Sequence, residues 1–144
     1  MLEGQLALIV AALFTGAALY VSLAEQPSRL MLDDKALLTE WQPSYKRGFI
    51  MQAPLAATGF LLGFLAWWET DIGAYLLGAL LIVANWPWTM LGIMPTNSAL
   101  MAMDPTEPGP DTRPLILKWG SLHAVRSALG ALATLAFLWA TLSD

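Results

Sequence analysis

The sequence predicts an all-α fold, a bundle of four transmembrane helices with a short interfacial helix between the first and second spans. Three observations carry that prediction. Hydrophobic residues make up 57% of the 144 and charged residues only 12%, about half the charged content of an ordinary soluble domain. Four apolar stretches, 6–24, 48–68, 72–94 and 115–142, meet the need for roughly 20 residues in a helix that crosses the hydrocarbon layer. The polar segments fall between them, so the chain reads as one integral membrane domain over residues 1–144.

Composition also removes several classes of function. There is no cysteine, hence no disulfide, thiolate metal site or thiol nucleophile. The net charge is −4 with no basic run, so nucleic acid is not an expected partner. The expected partners are the lipid bilayer and an apolar small molecule.

The first stretch, 6–24, carries no charge over its length. Ser22 and Ala24 imitate a signal-peptidase site, but no basic residue precedes the block and it is longer than a signal-peptide core, so a retained span is expected. Thr15, Gly16, Ala17 and Ala18 give it a small-residue face for close helix approach. Polarity then rises from Glu25 through Arg29, Asp33, Asp34, Glu40 and Arg47. Asp34 resembles a helix N-cap, Pro43 is expected to end the short interfacial helix that follows, and Trp41 and Tyr45 suit the headgroup layer. Gln52 and Pro54 lie in the first turns of the second span, where a backbone irregularity is expected.

Glu69-Thr70-Asp71 forms a tight acidic turn into the third span, which Asn85 and Pro87 interrupt and Pro95-Thr96-Asn97 is expected to close. The segment after Met101, with Pro105, Pro108 and Pro110, has little helical tendency. At ~1.5 Å per residue the last stretch, 115–142, reaches ~42 Å and must tilt or protrude. Of the seven Lys and Arg, Arg29, Lys35, Lys46, Arg47, Arg113 and Lys118 lie in or beside the first and third connections. The positive-inside rule therefore places those connections in the cytoplasm and both termini outside, in a plasma or inner membrane.

The seventh basic residue, Arg126, lies inside the fourth span with the only histidine, His123. Trp119, His123 and Arg126 are spaced i, i+4 and i+7, so a ring plate, an imidazole and a guanidinium share one helix face. The two polar groups would sit roughly 12 and 16 Å into the span, too deep for interfacial anchors. A buried arginine of that kind needs a partner or a wet cavity. The predicted topology brings Glu25, Arg29, Gln52, residues 95–97 and the start of the last span to one end of the bundle, a usual place for a ligand site. The competing reading is structural: Arg126 pairs with Glu25 or a carbonyl and His123 makes an interhelical hydrogen bond, fixing the register.

Other chemistries fit less well. Ser121 precedes His123 by two residues and points to a different helix face, with no acid to orient the ring, so a serine hydrolase is disfavoured. One histidine with no carboxylate at i+3 or i+4 does not assemble a metal site, and no metal is expected. A haem held by His123 and one of the seven methionines, or a quinone, remains an alternative ligand. Trp86, Trp88 and Trp119 are candidates to line a flat aromatic pocket, while Trp67, Trp68 and Trp139 suit the interfacial belts.

Two stretches carry a resemblance. Pro87-Trp88-Thr89 leading to Met94-Pro95-Thr96-Asn97-Ser98-Ala99-Leu100, and Leu117-Lys118-Trp119-Gly120-Ser121-Leu122-His123-Ala124-Val125-Arg126, resemble the anthrone oxygenase-like family of small four-span membrane proteins, and the order of elements fits from about residue 6 to 138. The resemblance implies a cofactor-independent monooxygenase, an oxidoreductase that converts an anthrone, a tricyclic aromatic ketone, to an anthraquinone with dioxygen as co-substrate. On that reading His123 is the general base, Arg126 and Asn97 stabilise the enolate oxygen, and Trp119 stacks on the substrate. Gln52, Tyr20, Thr96 and Trp88 are further candidates for binding it.

Overall fold

Four long helical rods, Leu2–Arg29, Asp34–Thr70, Gly73–Met101 and Thr112–Ser143, account for almost all of a computed structural model that describes residues 1–144, and each is long and apolar enough to cross a membrane. They are referred to as spans 1 to 4. Each packs on its neighbours in sequence, and span 4 closes on span 1, so the rods form a ring in the order 1-2-3-4.

Two apolar clusters hold the ring together. One joins Ala7, Ala11 and Phe14 of span 1 to Ala56 and Ala66, Tyr75 and Ile82, and Ala133 and Phe137. The other joins Leu37, Leu38 and Trp41 to Ile93, Leu100, Ile116 and Trp119. Because lipid is as apolar as leucine, such helices associate through close packing and interhelical hydrogen bonds rather than through escape from water. The glycines facing Phe137 show how close that packing is. A Cβ placed on Gly63 would lie 2.5 Å from the Phe137 ring and one on Gly78 would lie 2.6 Å from it. In spans 2, 3 and 4 most buried polar positions fall between the residues of the two clusters, and in span 1 Gln26 and Arg29 follow the first cluster. The ring therefore contains a polar layer between two greasy ones.

The start of span 2 differs from the expectation of a separate interfacial helix. Asp33 is the N-cap, accepting from Ala36 N at 2.8 Å, and one helix of 37 residues runs from Asp34 through Pro43 and Pro54 to Thr70. Pro43 removes the bond to Thr39, but both residues lie toward the outer face, where water can satisfy the freed carbonyl. The short helix is thus the first turns of span 2. Trp41 belongs to the core and not to the headgroup layer: it is fully buried. It stacks on Tyr45 at 5.0 Å and meets Trp119 edge-on at 5.7 Å.

Spans 1 and 3 are the irregular ones, for a shared reason. Span 1 changes to a π-turn at Val21–Glu25, closed by Gln26 N–H on the Val21 carbonyl, and span 3 does so at Thr89–Ile93, closed by Met94 N–H on the Thr89 carbonyl. In both, the residue after the closing donor is a proline, Pro27 and Pro95. A proline has no N–H to continue the ladder and crowds the carbonyl four residues back, so the turn before it widens. Span 3 is also broken at Ala84, as Asn85 and Pro87 predicted, and Asn85 Nδ2 donates to the Ile82 carbonyl at 3.1 Å. Pro95 does not close the span, which continues to Met101.

The connections are tied to the ring. Asp71 turns span 2 into span 3 with a left-handed φ of 58°, its N–H donating to the Trp67 carbonyl at 2.8 Å. Arg113 pairs with Asp34 at 2.8 Å and donates to the Leu30 carbonyl at 2.9 Å, joining the first and third connections. In the third connection Asp104 accepts from Thr106 N at 2.9 Å and from its hydroxyl at 2.8 Å. These bonds hold the Asp104 carboxyl below the usual carboxylate range.

Candidate active site

Within the polar layer the ring leaves a recess of about 450 Å³, counting its open mouth. Every span contributes to its wall. Span 1 supplies Val21, from its π-turn. Span 2 supplies Ser44, Tyr45, Gly48, Phe49 and Gln52, one stripe at helical spacing. Span 3 supplies Thr89 and Ile93 from its π-turn, then Asn97. Span 4 supplies Trp119, His123 and Arg126. Both widened turns thus flank the recess, where a five-residue bond re-aims side chains that a regular helix would place elsewhere.

His123 is 5% exposed. Its ring stacks on Trp119 with centroids 4.9 Å apart and an interplanar angle of 30°. Ser22 Oγ lies 3.1 Å from its Nδ1 and 2.9 Å from Ser127 Oγ, giving a chain of two hydroxyls behind the ring. Nδ1 is the one ring nitrogen with a hydrogen-bond partner, which leaves Nε2 free.

Arg126 donates to Thr89 Oγ1 and, at 3.1 Å, to Gln52 Oε1, and its guanidinium carbon lies 5.5 Å from the centre of the Phe14 ring. Its partners are neutral, and it forms no ion pair. The pairing with Glu25 that the competing structural reading offered is absent because Arg29 takes that carboxylate at 2.5 Å and Glu40 at 3.0 Å, while the interhelical bond it expected of His123 is made, to Ser22. Arg29 also donates to Ser44 Oγ at 3.1 Å and lies over Trp119 at 5.5 Å. The molecule therefore holds two inward-facing arginines of different kinds, one neutralised by two carboxylates and one with a positive charge left over. Asn97 lies on the same wall, with its Oδ1, a hydrogen-bond acceptor, buried and without a partner.

Of the eight candidates named from the sequence, His123, Arg126, Asn97, Trp119 and Gln52 line the recess. It does not collect the other three candidates. Tyr20 is 63% exposed and lines an adjoining cleft with Glu25, Glu40 and Arg47. Thr96 is buried off the wall. Trp88 braces spans 3 and 4 by donating Nε1 to the Leu122 carbonyl at 3.0 Å. Ser121 is exposed and bonds back to Leu117, away from His123. No methionine lies on the wall with His123, so the site offers a haem no histidine and methionine pair.

Sequence reasoning missed Ser44, Tyr45, Phe49 and Thr89 as site residues, and read Ser22 only as part of an apparent signal-peptidase site. The span 2 residues carry a readable signal once the helix is taken through Pro43: 41, 44, 45, 48, 49 and 52 fall at spacings of three, one, three, one and three. On the last span, Gly120 has a packing role beside this face. A Cβ there would lie 2.6 Å from Gln26 Nε2, which reaches past it to donate to the Ile116 carbonyl at 2.9 Å.

Four rods apolar enough to cross a membrane, around a recess with an imidazole and an unneutralised guanidinium on one wall, define a small integral membrane protein of the four-helix class. Comparison with known proteins gives the class a family. The family model described as anthrone oxygenase matches residues 41–136. The chain is also 31% identical over 129 residues to the anthrone oxygenase of Claviceps purpurea (strain 20.1), covering 80% of this chain and 74% of that one. The chain belongs to the anthrone oxygenase family. No solved structure matches it.

Proposed function

We propose that the recess binds a flat aromatic ketone of the anthrone type, and that the protein oxygenates it with dioxygen without a metal or organic cofactor. The observation that supports this best is a free imidazole nitrogen and a cation without a counterion on one wall, together with Asn97 and Trp119. The relative's name, anthrone oxygenase, agrees with it. The wall carries one imidazole and no carboxylate, a poor metal set but a suitable base and anion site.

The chemistry follows from these groups. In the productive tautomer, His123 Nδ1–H donates to Ser22 Oγ, which donates to Ser127, and Nε2 presents its lone pair to the guest. Nε2 removes a proton from the carbon opposite the ketone. The charge moves onto the ketone oxygen, where Arg126 and the Asn97 Nδ2–H donate to it, a role worth roughly 10² to 10³ in rate for a well-placed donor. The electron-rich anion gives its electrons to dioxygen and forms a carbon–peroxide bond, and the imidazolium returns its proton to the distal oxygen. Loss of the second proton from that carbon then breaks the O–O bond, forms the new carbonyl and releases water. One anthrone and one dioxygen give one quinone and one water. Trp119, held in place by stacking on His123 and by Arg29, borders the space the rings would take.

The basic residues beside connections one and three support a topology with those connections in the cytoplasm and both termini outside. The test of function is oxygen uptake by the purified protein with anthrone. The expected result is one dioxygen consumed per quinone formed, with His123→Ala slower by roughly 10² to 10⁴. A His123→Ala protein with full uptake would remove the imidazole from the mechanism.

A further inference from the structure

Behind Arg126 the recess meets a second hollow, of about 420 Å³ with its mouth, lined by Phe49, Ala53, Trp86, Thr89, Met90 and Arg126. Three of these, Phe49, Thr89 and Arg126, also line the recess that holds His123. The second hollow exists because spans 2 and 3 part company. They pack closely along Gly73–Val83, but beyond the break at Ala84 span 3 veers off through Pro87 and its π-turn, and few residues still touch span 2. Trp86 bridges the gap with an Nε1 bond of 3.3 Å to the Ala53 carbonyl.

The outer rim of this opening is apolar and bare. Phe49 is 49% exposed, Met90 65% and Trp86 47%. Ile50 and Leu91 flank it, also exposed. Within the hollow the polar side chains besides the Trp86 indole are Thr89 and Arg126, at its inner end. The cleft on the other side of the recess is different, since beside Tyr20 and Met51 it is lined by Glu25, Glu40 and Arg47. A planar hydrocarbon with one carbonyl oxygen partitions into lipid, and passing a wall that carries two carboxylates and an arginine would displace part of their water at a cost in free energy. The apolar hollow carries no such cost and ends on the group that would bind the oxygen.

We infer that the gap between spans 2 and 3, rimmed by Phe49, Ala53, Trp86 and Met90, is the lateral portal through which the flat aromatic substrate passes from the bilayer to His123, with Arg126 at the threshold. The inference rests on the functional reading above. Arg126 and Thr89 line both hollows, so they can meet the ketone oxygen from either.

The chain has no cysteine, so single-cysteine variants can be blocked cleanly. Met90→Cys and Ala53→Cys each place a thiol in the portal, and Arg47→Cys places one at the polar cleft. Each is reconstituted in phosphatidylcholine vesicles, reacted with N-cyclohexylmaleimide, and mixed with anthraquinone while tryptophan quenching is followed. The portal predicts that blocking the thiol of either portal variant slows association at least tenfold, while blocking the thiol of the cleft variant changes it less than twofold. Monodisperse elution and an unchanged melting temperature after labelling exclude collapse as the cause, and either portal variant suffices if the other fails to fold. Equal slowing at both sites, slowing at the cleft alone, or no slowing at either overturns the portal. Failure of the unlabelled protein to bind anthraquinone overturns the functional reading, and the portal with it.

Discussion

Ser22 Oγ and His123 Nδ1 lie 3.1 Å apart across the interface of spans 1 and 4, and Ser22 is in that position because its helix widens into a π-turn there. The hydroxyl selects the ring nitrogen that faces away from the recess and so fixes which one faces in. It acts through the histidine and touches no substrate, which makes it a positioning residue. Ser22→Ala is expected to lower kcat roughly five- to tenfold, the worth of one lost hydrogen bond, with KM for anthrone nearly unchanged. Ser22→Thr, which keeps the hydroxyl, is expected to recover most of the rate. Steady-state oxygen uptake measures both, and an unaltered kcat in Ser22→Ala would leave the ring's orientation to packing on Trp119 alone.

The two inward-facing arginines are expected to answer oppositely to the same substitution. Arg29→Leu strands Glu25 and Glu40, whose side chains are 24% and 36% exposed. Their partial hydration tempers the loss to about 1 to 3 kcal/mol. Arg126→Leu removes a charge that had no counterion and leaves only the neutral Gln52 and Thr89 acceptors, so its stability is expected within about 1 kcal/mol of the parent. Its activity is expected to fall roughly 10²- to 10³-fold. Melting curves in detergent rank the stabilities and oxygen uptake ranks the rates. A stable Arg29→Leu beside an unfolded Arg126→Leu would reverse the assignment and return Arg126 to a purely architectural role.

Legibility in the sequence depends on where the backbone departs from a regular helix. The inward face of span 4 is legible because the helix is uninterrupted there, so Trp119, His123 and Arg126 fall together by spacing alone. Asn97 and Gln52 are legible as polar residues stranded in apolar surroundings. Ser44, Tyr45 and Phe49 are not, because Pro43 reads as a stop, whereas a proline whose freed carbonyl faces outward leaves a long helix whole. Nor is Arg126's lack of a counterion readable. Which of two arginines takes Glu25 depends on the i, i+4 geometry that favours Arg29 on the same helix, and on the approach of Glu40 from span 2, a tertiary fact.

The packing of Phe137 between two glycines gives a prediction about the fold alone. Gly63→Ala and Gly78→Ala each force a methyl to within 2.5 to 2.6 Å of the ring, and each is expected to destabilise by about 1 to 3 kcal/mol through overpacking. Combined with Phe137→Leu, either should cost less than the sum of the two single changes, because the smaller side chain makes room for the methyl. Additive losses across that cycle, read from melting curves, would mean that the glycines serve some purpose other than admitting the ring.

Pro95 offers the sharpest separation of stability from function. If the missing N–H is what widens span 3 at Thr89–Ile93, then Pro95→Ala restores a donor and lets the turn close to regular α geometry. Removing a proline from a helix interior favours the helix by up to about 3 kcal/mol, so the melting temperature is expected to rise. The same closure rotates Thr89, which now accepts from Arg126, away from the recess, and activity with anthrone is expected to drop several-fold. A variant that is both more stable and fully active would show that the widened turn is only a consequence of the proline, with no bearing on how the guanidinium is held.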